Sequence, residues 1–168
     1  VFEPAGGRWK VSTGNACWVR PEGEWASGFG SRNAIPLLGD WNGDAKTDIA
    51  IYENDSWRFA LSTGTSFRVD AIPTNTDPGG APLVGDFNGD GLTDIGLFIK
   101  ESGTWRVELA TGTGFGSSQT WTTAWGAAND EPLMGDFNGD GQTDIGLVNQ
   151  STGLIEVRLS SGTGFASP

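Results

Sequence analysis

At 168 residues the chain has room for one domain or a short repeat array. Its net charge of −11 disfavours nucleic acid, which rewards a basic face, and no apolar run is long enough for a membrane-spanning helix. The complete lack of histidine removes every Ser-His or Cys-His catalytic pair, and a single cysteine removes any internal disulfide.

The first repeated segment is RWKVSTG at Arg8, a short run that alternates side-chain character with period two. Cys17 reads as a small buried hydrophobe rather than a reactive thiol. Trp25 follows, then an apolar segment, PLLG (36–39), and the acidic stretch DWNGDAKTD (40–48). Next come IAIY and WRFALSTGT, the latter starting at Trp57. The order then repeats. PLVG leads into DFNGDGLTD (86–94), IGLF, WRVELATGTGF from Trp105 and SSQTWTTAW. A third round runs PLMG, DFNGDGQTD (136–144), IGLV and IEVRLSSGTGF from Ile155. The acidic stretches start 46 and 50 residues apart, so a repeat of about 48 residues decides the architecture.

Each repeat reads as four strands. The PLxG segment, the run after the acidic loop, the WRVEL segment and a variable fourth stretch are short, rich in β-branched or aromatic residues, and bounded by Gly, Ser and Thr. No long window carries a helical period. Four strands per repeat is the unit of an all-β propeller blade, and a sandwich is the alternative. The expected organisation is a partial blade at 1–34, blades at 35–80 and 81–130, and a partial blade at 131–168.

The acidic loop carries carboxylates at positions 1, 5 and 9 and an amide oxygen at position 3. Hard oxygens of this kind select Ca²⁺, or less often Mg²⁺, over zinc or copper. An EF-hand needs a Glu at position 12 and flanking helices. Here position 12 is Ile51, Leu97 or Leu147 and the flanks are strands, so that reading fails. Gly91 and Gly141 sit at position 6, where a turn around an ion favours positive φ. Ala45 holds that position in the first copy and predicts a weaker loop there.

Loop, flanks and period together resemble the FG-GAP (VCBS) repeat family, whose loop reads D-x-N-x-D-G-x-x-D between the first two strands of a blade. The resemblance implies one Ca²⁺ at Asp86, Asn88, Asp90, Leu92 (by its carbonyl) and Asp94, and another at Asp136, Asn138, Asp140, Gln142 and Asp144. It implies a third, weaker site at Asp40, Asn42, Asp44, Lys46 and Asp48. The loops carry neither a nucleophile nor a general base, so the ion is expected to clip two strands together, and no catalytic residue is expected. Glu3, Glu22, Glu24, Glu53, Glu101, Glu108, Glu131 and Glu156 read as solvated face residues. Members of this family serve in protein adhesion, as in the integrin α subunits, or bind N-acetylglucosamine-type sugars between blades, as in a fungal lectin type. The short repeats here resemble the lectin-like and bacterial forms.

The repeat explains most of the eight tryptophans as packing. Trp9, Trp57, Trp105 and Ile155 are equivalent, so that position is expected in the core. Trp41 matches Phe87 and Phe137, Trp25 matches Trp121, and Trp18 approximates Phe67, Phe115 and Phe165. The residues left over are Phe29 and Trp125, each before a Gly in the connection between blades. They either line a ligand pocket or seal the junction. Ser31, Arg32, Asn33, Asn129 and Asp130 lie nearby and can hydrogen-bond a sugar.

No signal peptide is visible at Val1. The chain is expected to begin at a third strand and stop after another, about three and a half blades in all. A longer parent protein, or a homo-oligomer completing the ring, would close it. Calcium loops and two N-x-S sequons, at Asn54 and Asn149, point to an extracellular protein. The functional expectation is a calcium-stabilised module for carbohydrate or a cell-surface ligand, with protein adhesion or a structural role as the alternative.

Overall fold

A computed structural model describes residues 1–11, 23–74 and 79–166. The roles expected of Cys17, Trp18 and Glu22 fall outside those residues. The described chain is all-β and forms four antiparallel sheets. The first has three strands, β1 (Phe2–Glu3), β2 (Arg8–Val11) and β3 (Gly23–Ala26). The second runs in chain order through β4 (Ile35–Gly39), β5 (Asp48–Glu53), β6 (Ser56–Ser62) and β7 (Phe67–Asp70). The third does the same with β8 (Ala81–Gly85), β9 (Asp94–Ile99), β10 (Thr104–Glu108) and β11 (Gln119–Thr122). The fourth holds β12 (Asp130–Gly135), β13 (Asp144–Asn149), β14 (Ile155–Ser160) and β15 (Phe165–Ala166).

The second strand of each full sheet is buried on both faces, which is why IAIY, IGLF and IGLV are apolar runs rather than alternations. The first sheet opens with the end of such a strand: Phe2 pairs with Trp9 as Phe98 pairs with Trp105. The expected start at the third strand is thus one strand late, because two residues are too few to show a period. At the other end the described residues include a fourth strand, β15, where the sequence pattern predicts a stop after the third.

The sheets group into two units, residues 1–38 with 45–71 and residues 39–44 with 72–168. In the first, Trp9, Phe29 and Ala34 meet Ile49, Ile51 and Ala60. In the second, Leu83, Phe87, Phe98, Trp105, Val107, Trp121 and Trp125 of the third sheet meet Ile145, Leu147 and Phe165 of the fourth. The equivalence Phe2–Phe98, Trp9–Trp105, Ile49–Ile145 and Phe67–Phe165 shows one junction built twice.

Backbone contacts stitch the loops of the second unit. Thr143 N–H donates to the Asp86 carbonyl at 2.6 Å, and Thr93 N–H to the Asp40 carbonyl at 2.9 Å. The close approach explains the glycine that precedes each loop. A Cβ on Gly85 would lie 2.5 Å from Thr143 Cγ2, and one on Gly39 2.6 Å from Thr93 Cγ2. Gly135 has the same place in the fourth sheet, but its nearest neighbour would be the Phe137 ring at 3.7 Å.

The fourth sheet departs from the expected burial. Ile155 is 57% exposed and Phe137 49%, whereas their counterparts Trp105 and Phe87 are fully buried. Trp105 and Phe87 are covered by the apolar side chains of the next sheet in the chain. Among the described residues no further sheet covers Ile155 and Phe137. Gly85→Ala should therefore cost about 1–3 kcal/mol by overpacking, while Gly135→Ala should stay within about 0.5 kcal/mol. Urea unfolding of the two variants tests that contrast.

Candidate functional site

The acidic loops fold around their own first carboxylate. Asp86 Oδ1 accepts from Gly89 N–H at 2.7 Å and Asp90 N–H at 3.1 Å, and Oδ2 accepts from Gly91 N–H at 2.8 Å. Asn88 Oδ1 accepts from Asp90 N–H at 3.1 Å, and Asp90 Oδ1 from Leu92 N–H at 2.8 Å. The third loop repeats these contacts, with Asp136 accepting from Gly139, Asp140 and Gly141, Asn138 from Asp140, and Asp140 from Gln142. In the first loop Asp40 Oδ1 accepts from Gly43 and Asp44, and Asn42 Oδ1 from Asp44. Each loop is a tight turn held by short polar side chains. The backbone N–H of Gly141, helped by those of Gly139, Asp140 and Asn138, holds the Asp136 carboxyl below the usual carboxylate range.

Position 6 is left-handed in all three loops, at φ 87° for Gly91, 88° for Gly141 and 61° for Ala45. The strain expected at Ala45 is present. Lys46, at position 7, is exposed.

The ninth residue has a different place. Asp48, Asp94 and Asp144 are fully buried. Asp94 Oδ2 accepts from Phe87 N–H at 2.9 Å and Oδ1 from Ala110 N–H at 2.7 Å. Asp144 takes Phe137 N–H at 3.0 Å and Ser160 N–H at 2.8 Å, and Asp48 takes Ser62 N–H at 2.7 Å. Burial above all, with the charges of Asp90 and Asp86, pushes the Asp94 carboxyl up to about 7 against the pull of its two N–H donors from Ala110 and Phe87.

A hard cation fits the donor chemistry, since every side-chain donor in the second and third loops is a carboxylate or amide oxygen and like charges crowd Asp94. The hydrogen bonds above also show how the oxygens are used: among the described residues no three acidic side chains converge as a metal-holding group.

The two aromatics of the connections seal the junctions. Phe29 is 1% exposed and Trp125 8%. Trp9 Nε1 donates to the Phe29 carbonyl at 3.1 Å, and Trp105 Nε1 to the Trp125 carbonyl at 2.9 Å. Arg58 lies 5.1 Å over the Phe29 ring and Arg158 4.8 Å over the Trp125 ring, a cation–π contact in each junction. Their neighbours divide. Arg32, Asn33 and Asn129 are exposed on turns, Ser31 bonds Glu53, and Asp130 is buried.

Asp130 reaches a pocket of about 240 Å³ shared with Leu147, Asn149, Thr152, Leu154 and Glu156. Asn149 Nδ2 donates to Asp130 Oδ1 at 2.7 Å, Ala127 N–H to Oδ2 at 2.8 Å, and Thr152 Oγ1 to Asn149 Oδ1 at 3.1 Å. Asn149, Thr152 and Glu156 were not singled out as ligand residues. The run NQSTG (149–153) is rich in turn residues, but such a run does not say which side chains the bend gathers.

Residues 40–97 match the model of the FG-GAP-like repeat. A solved structure of an Agrocybe aegerita lectin, which recognises non-reducing terminal N-acetylglucosamine, matches with a TM-score of 0.67 at 21% identity over 88% of this chain. The match takes in 44% of that lectin, so the chain spans less than half its length. At this identity the likeness shows the fold: the sheets are blades of a partial β-propeller. No curated protein matches the chain.

Two outcomes follow from the geometry. Ala45→Gly relieves a left-handed alanine and should raise stability by about 1 kcal/mol in denaturant titration. Trp125→Ala should cost about 3–5 kcal/mol, since it empties a packed junction, and a melting curve will register that loss before any binding assay does.

Proposed function

We propose that the chain is a non-catalytic, calcium-stabilised carbohydrate-binding module that works outside cells. The observation that carries this reading is the pocket at Asp130, Asn149, Thr152 and Glu156. It sets two carboxylates, an amide and a hydroxyl beside the side chains of Leu147 and Leu154. Sugar recognition needs that mixture: charged or amide groups for hydroxyls and an apolar wall for the ring's C–H face. The fold shared with a lectin supports the same class by analogy.

Calcium belongs to the proposal as a clip. Asp86, Asn88, Asp90 and Asp94, with the Leu92 carbonyl, would hold one ion, and Asp136, Asn138, Asp140 and Asp144, with the Gln142 carbonyl, another. The ion would supply positive charge where Asp86 and Asp90 crowd Asp94. Asp40, Asn42, Asp44 and Asp48, with the Lys46 carbonyl, would bind more weakly, because Ala45 is strained. Filling such loops takes the calcium levels found outside cells, which is the basis for the extracellular reading.

The exposed Phe137, Ile155, Met134 and Leu159 favour a second reading, assembly with further copies or blades. A glycan array probed with the labelled protein in calcium and in EGTA separates the two. The expected result is binding to one coherent sugar class, weakened at least about tenfold in Thr152→Ala and Glu156→Ala, whose side chains lie at the pocket's rim. EGTA should also lower the melting temperature. A blank array from folded protein, together with self-association in sedimentation, would replace the carbohydrate reading by assembly. An unchanged melting curve in EGTA would remove calcium.

A further inference from the structure

The pocket of about 240 Å³ beside Asp130 specifies its ligand more narrowly than a sugar of any kind, given the carbohydrate reading on which this step rests. Strand pairing fixes its place. Asp130 stands opposite Asn149 across β12 and β13, and Glu156 opposite Leu147 across β13 and β14. Leu147 belongs to the core that the fourth sheet shares with the third. Side chains alternate along a strand, so Asn149 shares the face of Leu147, and Ile155, next to Glu156, points the other way. The pocket therefore lies on the face turned to the third sheet, not on the uncovered face of Ile155.

Its donors and acceptors are unequal. Asn149 Oδ1 accepts from Ser151 N–H at 3.1 Å, Thr152 N–H at 3.0 Å and Thr152 Oγ1 at 3.1 Å. An amide oxygen cannot donate, so the Thr152 hydroxyl proton is used there. Thr152 Oγ1 in turn accepts from Leu154 N–H at 3.2 Å. One N–H of the Asn149 amide goes to Asp130 Oδ1. The second N–H of that amide is the one side-chain donor left over. Acceptors remain in excess. Asp130 Oδ1 and Oδ2 each hold one donor and keep a further lone pair. Glu156 is exposed and has no partner among the described residues. No lysine or arginine lines the pocket. Arg158, two residues on from Glu156, lies over Trp125 and donates to Thr122 at 2.6 Å. Lys100 pairs with Glu131 at 2.6 Å.

We propose that the pocket selects a sugar with a free amine, a hexosamine residue whose ammonium sits on Glu156. The sugar hydroxyls donate to Asp130, and the C–H face of the ring lies on Leu147 and Leu154. Asp130 and Glu156 stand on the strands either side of β13, two strand spacings or about 10 Å across the sheet, so they meet the two ends of one residue. A metal ion would leave the leucines without a role, and no three acidic side chains gather here among the described residues. An N-acetyl group offers a carbonyl where the pocket has one donor to give, and a sugar acid adds negative charge to two carboxylates. An ammonium instead makes a charge-assisted hydrogen bond, about twice as strong as a neutral one.

The probes are the β-1,4-linked trimers of glucosamine, N-acetylglucosamine and glucose, titrated by calorimetry into the full chain at one ionic strength. The glucosamine trimer should bind at least about tenfold more tightly than either of the others. Glu156→Gln, at an exposed position, should keep the melting curve and bring that ratio below about threefold. Glu24→Gln removes the same charge from the exposed surface of the first sheet and should leave the ratio as it was. An equal loss in Glu24→Gln would mean that the amine follows the net charge of −11, and would overturn the proposal. An unchanged ratio in folded Glu156→Gln would do the same. Equal or tighter binding of the N-acetylglucosamine or glucose trimer would overturn it and leave the carbohydrate reading standing. Binding of none of the three by folded protein would overturn both.

Discussion

The interaction on which the rest depends is the buried carboxylate at the end of each acidic loop. Asp94 and Asp144 sit fully inside the protein, and each spends its two oxygens on two backbone N–H groups. One donor is the second residue of the loop. The other lies at or just past the end of the third strand. A single side chain thereby fixes where the first strand ends, where the second begins and how far the third extends. Each N–H left without that acceptor would cost about 1–3 kcal/mol inside the core. The conspicuous loop is in this sense the visible end of a buried fastening.

The fastening sets the spacing between blades in the second unit. With the loop held, the carbonyls of Asp40 and Asp86 point at the threonine N–H of the following loop. The approach is close enough that only glycine fits before the loop, which explains the last letter of PLLG and PLVG. Apolar packing then follows from backbone placement. Phe87 is carried into the space between Trp121 and Phe165, at 6.2 and 5.7 Å between ring centroids, and meets both edge-on. Polar geometry positions, and aromatic burial supplies most of the energy.

The sequence made the repeat, the strand order within a blade and the left-handed sixth position legible, because each leaves a local mark. Period-two runs and DFNGDG are such marks. Two features were not legible. The short β1 carries too few residues to show a period. The exposure of Ile155 and Phe137 depends on a neighbour, and no residue encodes the presence of its neighbour. The candidate ligand set divided for the same reason. Phe29 and Trp125 share a place before glycine, but whether an aromatic there opens a pocket or closes a junction depends on how the chain crosses Trp9 and Trp105. The residues that do gather with Asp130 come from one bend in the last blade, and their grouping is tertiary.

Near-identical sequence in unlike surroundings is the central physical lesson of a repeat protein. DFNGDGLTD and DFNGDGQTD make the same turn and the same buried staple, yet one aromatic is fully buried and the other half exposed. Local fold and local interface are thus separable. The loop and its carboxylate make each blade on their own terms, while the faces between blades are complementary surfaces that bury apolar area only when occupied.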